Sequence, residues 1–147
     1  MIHPYADLIG LELQEQEDGR STCSLSVTEQ HYNPHRVVHG AVLYALADTG
    51  MGAALYPSLA QDESCATIEI KINYYRPVPS GVVRCLTEVV HRGRRVANIE
   101  SSLYCDDRLV AKANGSYSIF KHSDKGRDTL HRLKPGITVQ GLEEGSQ

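Results

Sequence analysis

The chain has no apolar run approaching the roughly 18 residues that a membrane-spanning helix needs, so no membrane partner is expected. Its N-terminus, "MIHPYADLIG", lacks a basic segment followed by a long apolar one; it does not read as a secretory signal, and the expected location is the cytoplasm. Positive charge is not in excess. The net charge is −3 over 147 residues, which gives no general affinity for nucleic acid or anionic membrane. Cysteine pairs are also missing. Cys23, Cys65, Cys85 and Cys105 form no C-x-x-C spacing, so neither a zinc ribbon nor a thioredoxin-type site is signalled. All four lie in strand-like segments and read as reduced thiols acting as small hydrophobes. There is no G-x-S-x-G nucleophile elbow, no G-x-x-x-x-G-K-[ST] loop and no G-x-G-x-x-G turn. Nucleotide-triphosphate and dinucleotide redox chemistry are therefore unsupported. Internal repeats and low-complexity blocks are absent too.

What is present is an ordinary globular composition, 41% apolar and 22% charged, at a length that suits one domain. "HPYADLIG" predicts a short helix before Gly10. "LELQEQEDGRSTCSLSV" predicts two strands about an Asp18-Gly19 turn. Residues 29–38 form a polar loop in which Asn33-Pro34 opposes helix. A helix follows from about Gly40 to Tyr56, ended by Pro57. At ~1.5 Å per residue it is ~25 Å long, enough to cross a sheet. "CATIEIKINYY" alternates, placing Ile68, Ile70 and Ile72 on one buried face and Glu69, Lys71 and Asn73 on the other. "GVVRCLTEVV", "RRVANIESSLYC" and "RLVAKANGSYSIF" are strands joined by tight turns, an antiparallel meander. The expected fold is α+β, one long central helix wrapped by an antiparallel sheet. A domain over 1–120 would carry a polar extension over 121–147, with one helical turn at "RDTLHRL".

The predicted helix, "GAVLYALADTGMG", is apolar or small nearly throughout, yet Asp48 sits in its middle. A carboxylate there needs a donor or an opening to solvent, or it is a general base or nucleophile set by poor solvation. At the helix start, Gly40 in "VVHGA" is either a permissive first residue or a place where backbone comes close to a ligand. The first-turn N–H groups lack intrahelical partners and sit at the positive end of the helix dipole, where a carbonyl oxygen is polarised. Asp48 is eight residues further on, or ~12 Å along the helix. One helix cannot easily present both groups to one reacting carbon, whereas a second copy of the chain can supply the carboxylate across an interface. His31, His35 and His39 recur every four residues, but Pro34 interrupts any helical metal-ligand row, and no metal is expected; His39 is better suited to shaping the helix start. Arg92, Arg94 and Arg95 in "HRGRR", with Arg76 in "YYRPVPSG", are either solvated turn charges or a grip on a phosphorylated ligand.

The run "HYNPHRVVHGAVLYALADTGMGAAL" resembles the hotdog-fold acyl-CoA thioesterases, in particular the PaaI-like branch, which carries an Asn, then a His-Gly-Gly/Ala, then an acid on the helix. Here these are Asn33, His39-Gly40-Ala41 and Asp48, and "ATIEIKINYYRPVPSG" is similar to the branch's next strand. The resemblance covers residues 5–120. It implies hydrolysis of acyl-CoA by a homodimer, or by a homotetramer of two dimers, with no cofactor beyond the CoA carried by the substrate. Asn33 and the Gly40 N–H would hold and polarise the thioester carbonyl, and Asp48 of the other subunit would activate water or attack directly. Thr67 would position the water, although simple alternation points it away from the face of Ile70. His39 would buttress the loop. Ala41 stands where the motif often has Gly.

Two other functions fit the same fold. A non-catalytic acyl-CoA sensor would need no base, so the Asn33, Gly40 and Asp48 set favours an enzyme. A hydratase or dehydratase would carry a Gly-His-Pro segment, which the chain lacks.

Overall fold

The computed structural model describes residues 3–122. Its elements follow in the order α1 (Pro4–Ile9), β1 (Leu11–Glu17), β2 (Arg20–Ser26), α2 (Gly40–Leu55), β3 (Glu63–Tyr74), β4 (Val82–Arg92), β5 (Val96–Cys105) and β6 (Arg108–Lys121). The anticipated extension lies, from residue 123 on, outside the described residues.

Turn chemistry sets the strand connections. Gly19 takes φ 80° between β1 and β2, and Asp106 and Asp107, at φ 50° and 59°, form the two-residue turn between β5 and β6. Two successive left-handed residues match the twist of a hairpin, and Asp tolerates them because its short side chain bonds locally. One six-stranded antiparallel sheet results, ordered β1-β2-β4-β5-β6-β3. The β4-β5-β6 meander is as expected. β3 does not join its sequence neighbour β4; it closes the far side of the sheet against β6.

The sheet curls about α2, which touches all six strands. Inward residues of β4 (Val83, Cys85, Thr87) and β5 (Ala97, Ile99, Ser101, Leu103) are buried beneath it. The helix buries Leu43, Leu46, Ala47, Met51, Ala54 and Leu55, so no broad polar face is left, as an element enclosed by a sheet requires. Close approach depends on Gly50. A Cβ there would lie 2.6 Å from Thr87 Oγ1. Ser21 donates its hydroxyl to the Gly50 carbonyl at 2.7 Å, and Thr87 and Ser101 pair at 2.7 Å. These buried hydroxyls are satisfied by the helix backbone and by each other, which removes the penalty of burying them.

The thiols are free. Cys23 and Cys85 are fully buried, and burial pushes their thiols up to about 12 and about 11. Both are therefore neutral hydrophobes at physiological pH. Cys65, on β3, is only half-buried.

β3 corrects the alternation read from sequence. Its register to β6 slips between Thr67 and Glu69: Thr67 faces Tyr117, Glu69 faces Ser116, and Ile68 is extra. This is a β-bulge, which unpairs one residue and reverses the facing of those beyond it. Ile70 and Ile72 pack against the core as expected, whereas Ile68 is 57% exposed. Thr67 is thereby aimed at α2, the side that unbroken alternation denied it.

Replacing Gly50 by Ala forces α2 off the sheet or displaces the Thr87–Ser101 pair. Stability should fall by about 1–3 kcal/mol, seen as a lower urea midpoint at unchanged slope. An unchanged midpoint would show that the helix–sheet contact has slack.

Candidate active site

Two groups of polar residues lie along α2, one at its N-terminus and one at its middle. The first is built by the loop that precedes the helix. His31 is buried; its Nδ1 accepts the Thr28 N–H at 2.9 Å, and Nε2 donates to the Ile9 carbonyl at 2.7 Å. It is a loop lock. His39 is the N-cap, its Nδ1 accepting the Ala41 N–H at 2.9 Å, and its own backbone N–H reaches the His31 carbonyl at 2.8 Å. His35 is exposed. The three histidines thus take separate positions.

Asn33 folds the same loop. Its Oδ1 accepts the N–H groups of His35, at 2.9 Å, and Val37, at 3.4 Å. That leaves its amide N–H groups without a partner among the described residues. Cap geometry leaves the Gly40 N–H, at the first helical position, similarly unengaged. Gly40 is required by contact: Tyr74 lays its ring where a Cβ would be, 3.0 Å away, and donates its hydroxyl to the Gly40 carbonyl at 2.8 Å. A cleft of about 380 Å³ opens here, lined by Gly40, Leu43, Tyr74, Tyr75 and Arg76 among others. A second cleft, of about 510 Å³, continues past Arg76 toward Ser80 and Arg108.

The second group surrounds Asp48. Thr67 donates its hydroxyl to Asp48 Oδ1 at 2.8 Å, and Tyr117 donates to the same oxygen at 2.5 Å. Tyr117 also lies 2.9 Å from the Asp48 carbonyl oxygen. The residue is 3% exposed. Burial, and then the Asp48 carboxylate, push its hydroxyl far above the usual tyrosine range, so it stays protonated and acts as a donor. Cys65, on the same stretch of β3, is also pushed up, by burial and then by Asp48. The half-buried Asp48 thus combines both demands of its position, two donors and a partial opening to solvent.

Among the described residues no hydrogen bond links the two groups. His39, Gly40 and Tyr74 meet at the helix start, with Asn33 in the loop that precedes it, and Asp48, Thr67, Cys65 and Tyr117 meet two turns further on. The basic turn is divided as well. Arg92 points inward and is held by Ser58, by the Gly93 carbonyl at 2.8 Å and by Glu63 at 3.5 Å. Arg94 and Arg95 are exposed, and so is Arg76 at the opposite end of β3. Tyr117 and Tyr74 were missed from sequence. The signal for Tyr117 was its inward place in the alternation of "GSYSIF", since a buried tyrosine hydroxyl needs an acceptor.

Comparison with known proteins supplies the family. The model of the thioesterase superfamily matches residues 35–112, which hold Gly40, Asp48 and Thr67. The acyl-coenzyme A thioesterase PaaI of Escherichia coli is 28% identical over 134 residues, covering 90% of this chain and 85% of its own. Among solved structures, a conserved protein of Pseudomonas aeruginosa superposes with a TM-score of 0.76 at 36% identity, over 82% of this chain and 96% of that one. The phenylacetic acid degradation protein PaaI from Thermus thermophilus superposes with a TM-score of 0.74 at 25% identity, over 79% and 98%. The chain belongs to the thioesterase superfamily, as a hotdog-fold thioester hydrolase of the PaaI-like branch.

Proposed function

We propose that the chain hydrolyses acyl-CoA thioesters to a free carboxylic acid and CoA at sites shared between two subunits of a homodimer, alone or paired into a tetramer. The observation that carries this reading is the placement of Asp48, a carboxylate held by two hydroxyls on the same helix as the Gly40 N-terminus but two turns from it. The thioester carbonyl would enter the cleft at Gly40, with its oxygen on the Gly40 N–H and the Asn33 amide. These donors strengthen as negative charge builds on that oxygen in the transition state. Asp48 of the partner subunit would take a proton from water as the water oxygen bonds to the carbonyl carbon. Collapse of the tetrahedral intermediate breaks the C–S bond, and the departing CoA thiolate takes up the proton. Direct attack by the carboxylate, through an anhydride that water then opens, uses the same groups. Thr67 would act through Asp48, to which its hydroxyl is bonded, and His39 would hold the helix start. No cofactor takes part; CoA is a piece of the substrate.

Support for two subunits comes from β3. It is twelve residues long and pairs with β6 on one side only, and its other edge has no partner among the described residues. Ile68, Tyr74 and Tyr75 are about half exposed along it. A long edge with exposed apolar residues invites pairing with another strand. A two-fold axis would pair β3 with its copy antiparallel, carrying the Tyr74 end of one strand toward the Thr67 stretch of the other, and Gly40 toward the partner subunit's Asp48. The same operation moves the Arg94–Arg95 turn, tied to Glu63 through Arg92, toward the partner's Arg76. These three arginines would then meet the phosphates of a CoA whose acyl end lies in the cleft, with Arg92 fixing the turn.

Asp48→Asn should lower kcat by about 10²–10⁴ while acyl-CoA still binds in calorimetry. Near-normal kcat in a clean preparation would sink the assignment. Charge reversal of Arg94 and Arg95 together should raise KM for acyl-CoA with a smaller change in kcat, because the contact is remote from the reacting carbon. A short thioester without the nucleotide should hardly notice. Equal losses on both substrates would mean that the turn serves folding or assembly.

A further inference from the structure

We propose that Tyr117 is a positioning residue for this hydrolysis, one that occupies Asp48 Oδ1 together with Thr67 and leaves Oδ2 as the oxygen that takes the proton from water. The inference rests on the reading of Asp48 given above.

The geometry carries it. Oδ1 receives two hydroxyl hydrogen bonds, 2.8 Å from Thr67 and 2.5 Å from Tyr117, and no bond to Oδ2 forms among the described residues. The two oxygens of a carboxylate are equivalent in water and become distinct once one is occupied. An oxygen already accepting two donors is a poorer base than its free twin, since each donor has to be weakened or displaced when a proton arrives. Thr67 and Tyr117 are register partners across the β3–β6 pair. The bulge at Ile68 turns Thr67 to the helix side, where Tyr117 already points. Both hydroxyls therefore approach Asp48 from the sheet, and the residue keeps partial exposure to solvent.

Tyr117 holds the position more firmly than Thr67. Its buried ring has few alternatives, and its hydroxyl is shared between the carboxylate and the Asp48 carbonyl oxygen at 2.9 Å. That second contact ties β6 to the helix backbone at the same residue whose side chain it orients. The hydroxyl stays protonated, so it is a fixed donor and not a competing base. The other titratable group facing Asp48 from the sheet is Cys65 on β3, which burial and Asp48 keep as a neutral thiol. Neither neighbour brings a positive charge. The two hydroxyl hydrogen bonds to Oδ1 are the contacts that fix the carboxylate in place.

A purely structural tyrosine would affect stability and little else. Tyr117→Phe keeps the ring and removes both contacts of the hydroxyl. Taken per folded protein, well below the variant's own unfolding midpoint, kcat should drop about ten- to hundredfold with KM within about twofold, as expected when a reacting group loses its alignment. Unchanged kcat would overturn the proposal, and so would a KM that rises as far as kcat falls, which would make the hydroxyl a structural tie only. Asp48→Asn measured alongside separates the two levels: full activity there would remove the base assignment itself, whereas an inactive Asp48→Asn beside an unaffected Tyr117→Phe would reject the role of Tyr117 alone.

Discussion

A carboxylate on an enclosed apolar helix is the constraint around which this protein is arranged. α2 packs against all six strands, and Asp48 lies halfway along it. Left without donors, a charge in that place would cost several kcal/mol. The sheet answers with two hydroxyls aimed at one carboxylate oxygen, and the bulge in β3 makes this possible by turning Thr67 toward the helix. What reads in one dimension as a polar residue misplaced in a core becomes in three a carboxylate with one oxygen held by two hydroxyls and the other without a partner among the described residues.

The helix also sets a distance. Its rise keeps Asp48 ~12 Å from the N–H groups at its own N-terminus, and rearranging side chains cannot close that gap. In the proposed dimer, the edge of β3 that has no partner among the described residues would offer the way around it, since pairing two copies there would carry the start of each chain's helix toward the middle of the other. The arginines fit the same logic. Arg94 and Arg95 sit at the end of β3 opposite Arg76 in one chain, and antiparallel pairing would place them side by side.

Much of this was legible in the sequence, and what was not has physical causes. The long helix ends at Leu55, one residue short of the expected Tyr56; Pro57 and an apolar run bounded by loop chemistry are local signals. The hairpin turns were legible for the same reason. The exposure of Ile68 was not, since a bulge depends on the partner strand and cannot be read from one strand's alternation. The place of β3 at the far side of the sheet is likewise a long-range pairing. Asp48 stood out as a carboxylate on an apolar helix, Gly40 through its place at the helix start, and Asn33 and His39 through the resemblance of their segment. Tyr117 did not, because an inward tyrosine on a strand looks like core until the acceptor of its hydroxyl is known. Arg92 looked like its two neighbours, and only Glu63 and Ser58, distant in sequence, separate it from them.

The central claim is that Asn33 and Gly40 of one subunit work with Asp48 of the other. It is tested most directly by mixing Asn33→Ala chains with Asp48→Asn chains, each inactive alone, after dissociation and reassociation. In a shared site, half of the randomly formed dimers are mixed, and each mixed dimer holds one intact site and one doubly altered one. Activity should then return to about a quarter of the unaltered protein's, as two-fold symmetry requires. A mixture that stays as inactive as its components would contradict the account, since it would place both residues in the site of a single chain.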